Sequence, residues 1–274
     1  TQAARDKRNG GKRSRDGLLP WEKLVFQFGI GAIASYFIWQ AAAVPDAHVM
    51  NLPFQRTYLP APTEGVIQPL DLAPGVWQMG IVAFLLLGTF MIAFTSNAVN
   101  LTDGLDGLAG GTLLIASFAM MVLTWIAASQ RASYFLMVPY VPGSGELMVI
   151  AGAMAGACLG FLWFNVPPAQ IFMGDTGSLA MGGLLATIAV CVRQEVLLVL
   201  IGGVFYLEAL SVMLQVGWFK WTKRRYGEGR RILLCAPAHH HFQHAGWKET
   251  QVVGRFYLVA ITLAIVALVS LKLR

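Results

Sequence analysis

The sequence predicts an all-α fold: a polytopic transmembrane helical bundle of about seven spans, in a single domain covering residues 1–274. Three observations carry this prediction. Only 12% of the residues are charged and 56% are hydrophobic, whereas soluble domains carry about 25% charged residues. Mean hydropathy is +0.60. Apolar runs near the ~20 residues needed to cross a bilayer recur along the whole chain and leave little apolar length for a separate soluble core.

The first run, at about 21–43, follows a basic segment over 1–20. The chain opens at Thr1 rather than Met and enters this basic segment directly, which predicts an N-terminal truncation. Residues 44–77, rich in proline and mixed in character, read as an irregular external loop. Runs at 78–96 and 107–128 flank the polar cluster NAVNLTDGLDG, and runs at 147–164 and 176–192, the latter short, flank FNVPPAQIFMGDTGS. Pro167 and Pro168 end the fourth run because proline cannot continue the helical hydrogen-bond ladder. The sixth run, 196–218, contains Glu208, which is costly in a membrane unless it is paired or faces a cavity; a functional and a structural role are equally open. A polar loop over 219–252 holds APAHHHFQHAGW, and 253–272 forms the last span. Gly152, Gly156 and Gly160, and Gly182 with Gly183, are expected at close helix contacts. Cys158, Cys191 and Cys235 have no CxxC spacing, so they read as packing residues rather than as a disulfide framework or a zinc site.

Charge sets the orientation. Lys and Arg number seven from Arg5 to Lys23 and seven in the 219–252 loop, against Arg56 and Arg131 alone in the loops 44–77 and 129–146. The positive-inside rule then places all three polar clusters in the cytoplasm. The net charge of +6 is accounted for by this flanking of spans, so no nucleic-acid partner is implied; the partner is the lipid bilayer.

Asn97, Asn100, Asp103 and Asp106 recur every three residues, with Gly104 and Gly107 permitting close backbone approach, so the loop could hold a polyanion and its metal. Equally, its aspartates could cap the next helix and its asparagines serve as turn residues. Asp175 could be an N-cap or a hard-cation ligand, since Mg²⁺ takes one or two protein carboxylates plus phosphate oxygens. Asn165 by itself reads as a helix C-terminal residue. The third, fifth and seventh spans begin beside the clusters, and helix N-termini attract anions, which points to a phosphate-bearing cytosolic substrate. His239, His240, His241 and His244 are four of the five histidines in the chain. Adjacent histidines cannot all face one way on a helix, which disfavours a three-ligand zinc site. They suit phosphate contact and proton handling near neutral pH, or a solvated turn.

Taken together and in order, NAVNLTDGLDGLAGG, GFLWFNVPPAQIFMGDTGSLAMGG, GGVFYLEALSVMLQVGWFK and APAHHHFQHAGW resemble the phospho-N-acetylmuramoyl-pentapeptide transferase family of the polyprenyl-phosphate N-acetylhexosamine-1-phosphate transferase superfamily. The resemblance implies transfer of phospho-MurNAc-pentapeptide from UDP-MurNAc-pentapeptide to undecaprenyl phosphate, giving lipid I and UMP with Mg²⁺. It implies a multi-pass protein of the bacterial inner membrane, with its active site on the cytoplasmic face, acting in peptidoglycan synthesis and often as a homodimer. By resemblance Asp175 is the Mg²⁺ ligand, with Asn100, Asp103 and Asn165 around the diphosphate, and Asn97 and Gly174 also belong to the substrate-binding set. Gly104, Leu105, Asp106 and Phe172 form the uridine pocket, Phe172 stacking on the base, and His239, His240 and His241 contact phosphates or stabilise the transition state. The lipid phosphate attacks the donor either directly or after an aspartate such as Asp103 has formed a phospho-enzyme. The family has ten spans and a DDxxK motif after the third; this sequence lacks that motif and corresponds to spans four to ten, so activity would depend on the upstream region.

Two rivals differ in class. A GlcNAc-1-phosphate transferase of the same superfamily is disfavoured by the APAHHHFQHAGW motif. A transporter would place its acidic groups at mid-membrane, where only Glu208 lies.

Overall fold

The structure is a computed structural model describing residues 20–42, 48–59 and 71–273. The basic segment before Pro20 and parts of the 44–77 loop lie outside the described residues. Five spans open the bundle: α1 (Pro20–Ala41), α2 (Ile81–Thr102), α3 (Leu108–Ala128), α5 (Gly145–Asn165) and α6 (Gly174–Cys191), with a short α4 (Gln130–Phe135) in the loop between α3 and α5. A bent pair, α7 (Glu195–Ile201) and α8 (Gly203–Tyr226), precedes a short α9 (Ala238–His244) and the last span, α10 (Glu249–Ser270). Among the described residues the architecture is thus all-helical, with six helices long and apolar enough to cross a membrane, or seven spans if the bent pair counts as one.

That pair departs from the straight sixth run expected over 196–218. The axes of α7 and α8 differ by 83°, and the break falls at Gly202, next to Gly203. A Cβ on Gly202 would sit 3.0 Å from the Leu198 carbonyl oxygen and 3.2 Å from the Phe205 and Tyr206 rings, and one on Gly203 would strike the Leu263 side chain of α10. Only hydrogens fit inside the bend. Hydropathy averages over such a break, so the sequence reads it as one run.

α3 is the most buried span and α1 the least. α3 lies between α5 and α10, while α2 packs against α1, α6 and α8. Leu113, Met120 and Leu123 of α3, Phe84 and Val99 of α2, Leu185 of α6 and Phe205 of α8 are buried in one apolar cluster. The small-residue expectation splits. Gly182 brings α6 against the α2 backbone, where a Cβ would lie 2.9 Å from the Thr95 carbonyl oxygen, whereas Gly156 and Gly160 have nothing within 4 Å. The core-facing stripe of α5 is instead Ala151, Met154, Ala155 and Cys158. Spacing alone marks a stripe of small residues but not the side on which the partner lies.

At the end of the bundle away from the polar clusters, the described part of the 44–77 loop forms two isolated antiparallel bridges, Val49 with Gln78 and Tyr58 with Leu72. The Tyr58 hydroxyl accepts the Tyr140 N–H at 2.9 Å.

Candidate functional site

The loop between α2 and α3 is where the clusters meet. Gly107 turns the chain into α3 at φ +80°, a conformation that favours glycine. Its N–H donates to Asn165 Oδ1 at 2.9 Å, and its carbonyl accepts the Tyr257 hydroxyl of α10 at 2.6 Å. Asn165, buried at the end of α5, donates its Nδ2 to the Ile171 carbonyl at 2.7 Å. Asp106 receives the Ala169 N–H on Oδ2 at 2.9 Å, while its own N–H donates to Glu249 Oε1 at 3.1 Å. The 103–107 loop is therefore stapled to the 166–173 loop and to the start of α10. Asn165 and Asp106 spend these polar atoms on joining the loops, so Asn165 acts here as a positioning residue.

The carboxylates sit beside this staple. Asn100 donates through Nδ2 to Asp175 Oδ1 at 3.0 Å and to Ser178 Oγ at 2.9 Å. Lys23 of α1 donates from Nζ to Asp175 Oδ2. Asp103 accepts the Gly174 N–H, and Gly174 opens α6 at φ +65°. Burial pushes the Asp103 carboxyl above its ordinary value and the Asp175 charge adds to this, with the Gly174 N–H working against both. Two neighbouring carboxylates that repel each other, answered by one ammonium, form a donor set that suits a hard divalent cation completed by phosphate oxygens. Among the described residues no three His, Cys, Asp or Glu side chains converge.

The histidines form α9 and do not act alike. His239 is wholly buried; its ring Nε2 lies against Gly104, where a Cβ would collide with it. Its backbone N–H donates to Glu208 Oε1 at 3.1 Å, and its Nδ1 lies 3.1 Å from Glu208 Oε2. Glu208 is therefore paired rather than facing an open path. The His240 ring packs 4.2 Å from that of His239, with Nδ1 2.8 Å from Gln243 Oε1. His241 Nδ1 accepts the Leu234 N–H at 3.2 Å. Helical geometry separates the three as their sequence spacing implies.

Three expected residues stand apart from the carboxylates. Asn97 donates to Gln27 Oε1 at 2.6 Å and to the Ala93 carbonyl at 2.8 Å, at the α1–α2 contact rather than with Asp175. Phe172 projects from the 166–173 loop, 76% exposed, and Leu105 is half-buried beside Gly104. Lys23, Gln27, Ser178, Tyr257 and Glu249 were not singled out by sequence. Lys23 and Gln27 did carry a signal: two polar residues four apart at the start of an otherwise apolar helix share one face.

Next to α9, an apolar groove of about 690 Å³ runs between α8 and α10, lined among others by Leu207, Leu210, Leu214, Phe242 and Phe256, with Arg255 at its edge. The Arg255 guanidinium lies 3.8 Å from the centre of the Trp247 ring.

The family model described as glycosyl transferase family 4 matches residues 16–193. The match takes in Lys23, the 97–107 cluster and the 164–178 cluster.

Proposed function

The chain belongs to glycosyl transferase family 4, so it is a polyprenyl-phosphate sugar-1-phosphate transferase, and we propose that its donor is UDP-MurNAc-pentapeptide and its acceptor undecaprenyl phosphate. The observation that carries this reading is the convergence of Asn100, Asp103 and Asp175 with the histidine helix at Gly104. The choice of donor rests on the APAHHHFQHAGW resemblance. In this reading the site faces the cytoplasm of a bacterial inner membrane, which the distribution of Lys and Arg among the loops supports, and the products are lipid I and UMP.

Asp175 and Asp103 would hold Mg²⁺. The ion would supply charge neutralisation for two anions brought together. The residues of the chain do the rest. Asn100 orients Asp175 by its amide, and Lys23 supplies a fixed positive charge beside it. Phe172, exposed on a loop tied down through Ala169 and Ile171, presents a face on which a uracil ring would stack. The polyprenyl chain would lie in the groove between α8 and α10, with Arg255 toward its phosphate. One phosphate oxygen of the lipid attacks the sugar-bearing phosphorus and the bond to UMP breaks. Holding both reactants in line supplies most of the acceleration.

The test is UMP release and lipid-product formation by the gene product in micelles with undecaprenyl phosphate and either UDP-MurNAc-pentapeptide or UDP-GlcNAc. Turnover with the first donor alone is expected. Turnover with UDP-GlcNAc alone would move the chain to the GlcNAc-1-phosphate branch, and no turnover with either would count against the transferase reading.

A further inference from the structure

Glu208 is the one acidic side chain of α8 and is fully buried. Both of its oxygens address a single residue. Oε1 accepts the His239 N–H at 3.1 Å, Oε2 lies 3.4 Å from the same nitrogen, and Oε2 is 3.1 Å from His239 Nδ1. The His239 N–H is a first-turn group of α9 with no partner inside the helix. The ring has no other place to turn: Nε2 abuts Gly104 and the His240 ring covers it at 4.2 Å. The three histidines differ on this point. His240 and His241 direct a ring nitrogen to Gln243 and to the Leu234 N–H, and neither has a carboxylate behind it. Neither ring nitrogen of His239 makes a hydrogen bond of good geometry within the protein; Nδ1 has the Glu208 carboxylate 3.1 Å away, whereas Nε2 has no such neighbour and lies beside the residue that follows Asp103.

We infer that Glu208 is a positioning residue for the transfer reaction, holding His239 with its proton on Nδ1 and its Nε2 directed at the Asp103–Gly104 backbone. The inference rests on the transferase reading above for its role, though not for its geometry. A carboxylate oxygen accepts hydrogen bonds, so a proton on the facing Nδ1 makes the 3.1 Å contact an attractive one, and that arrangement leaves Nε2 as the working atom of the ring. A carboxylate behind an imidazole also restricts its rotation. His239 is thereby set apart from its neighbours as the histidine aimed at the phosphate-binding loop. Glu208 would touch no substrate.

The geometry is tested on the wild-type chain by ¹⁵N NMR of histidine-labelled protein in micelles. A buried histidine with a protonated Nδ1 is expected; a spectrum in which every neutral histidine carries its proton on Nε2 overturns the inference without reference to activity. The role is tested by a mutant cycle. Glu208→Gln keeps the acceptor for the His239 N–H but loses the charge, and kcat should fall about ten-fold or more while the donor KM stays within about two-fold. The double variant Glu208→Gln/His239→Asn should be no slower than His239→Asn alone. Additive losses in an active, folded enzyme would overturn the inference and leave the transferase reading standing. Absence of turnover in the wild type would count against that reading, while the spectrum still decides the geometry.

Discussion

Replacing Asn165 with alanine tests whether the site is assembled by its loops. The side chain bridges Gly107 N–H at 2.9 Å and the Ile171 carbonyl at 2.7 Å, and it is only 5% exposed. Alanine leaves both backbone groups without a partner, and each buried unsatisfied group costs about 1–3 kcal/mol. The loops lie at the wet end of the bundle, where water relieves part of this, so we expect about 2–4 kcal/mol against the docked arrangement. That corresponds to a rise of roughly 30- to 1,000-fold in the undocked population. Hydrogen exchange read by mass spectrometry reports it directly: peptides spanning 103–110 and 166–173 should accelerate together while the interior of α3 around Met120 keeps its protection. Asn165→Asp retains an acceptor for Gly107 but sets a carboxylate against the Ile171 carbonyl, so its effect should fall more heavily on 166–173. Wild-type exchange at both peptides in Asn165→Ala would refute the stapling argument.

Asp175→Asn should abolish formation of the lipid-linked product at every Mg²⁺ concentration, and substantial retained turnover would remove Asp175 from the metal role. Phe172→Ala should raise the KM for the UDP donor more than that for the lipid, because its exposed ring has no packing role to lose; equal effects would argue against base stacking. Asp103→Asn should stabilise the fold near neutral pH while impairing activity. The carboxyl of Asp103 is held above its ordinary value, so the folded state binds its proton more tightly than the unfolded chain, and stability declines as pH rises through that interval. The amide removes this loss. The gain in thermal midpoint should therefore be present at pH 7.5 and shrink toward the ordinary carboxylate range, about pH 4; a gain that is unchanged or larger in acid would contradict the sign.

Much of the fold is legible in the sequence because crossing a bilayer imposes a strong compositional demand on contiguous residues. Six of the expected runs appear as helices, five of them within four residues of their expected limits, while α2 runs six residues past its expected end at 96 and takes in Asn97 and Asn100. The α7–α8 break escapes because a turn of 83° at Gly202 needs only missing side chains where Leu198, Phe205 and Tyr206 crowd together, and window averages do not register that crowding. The residues of the site divide in the same way. Asn100, Asp103, Asp175 and the histidines declare themselves as polar groups in an apolar chain. The fold then separates residues that look alike in sequence: Asn100 turns to Asp175 and Asn97 turns to Gln27, and of three consecutive histidines only His239 meets Gly104 and Glu208.

By itself the sequence determined the class of protein, the spans and the three polar clusters, since each is a property of neighbours along the chain. Tertiary structure alone decided which members of those clusters meet and which partners hold them. Lys23 reaches Asp175 across 152 positions and Glu208 reaches His239 across 31. Such contacts depend on the rotation of each helix about its axis, which packing sets and which no local pattern of residues records.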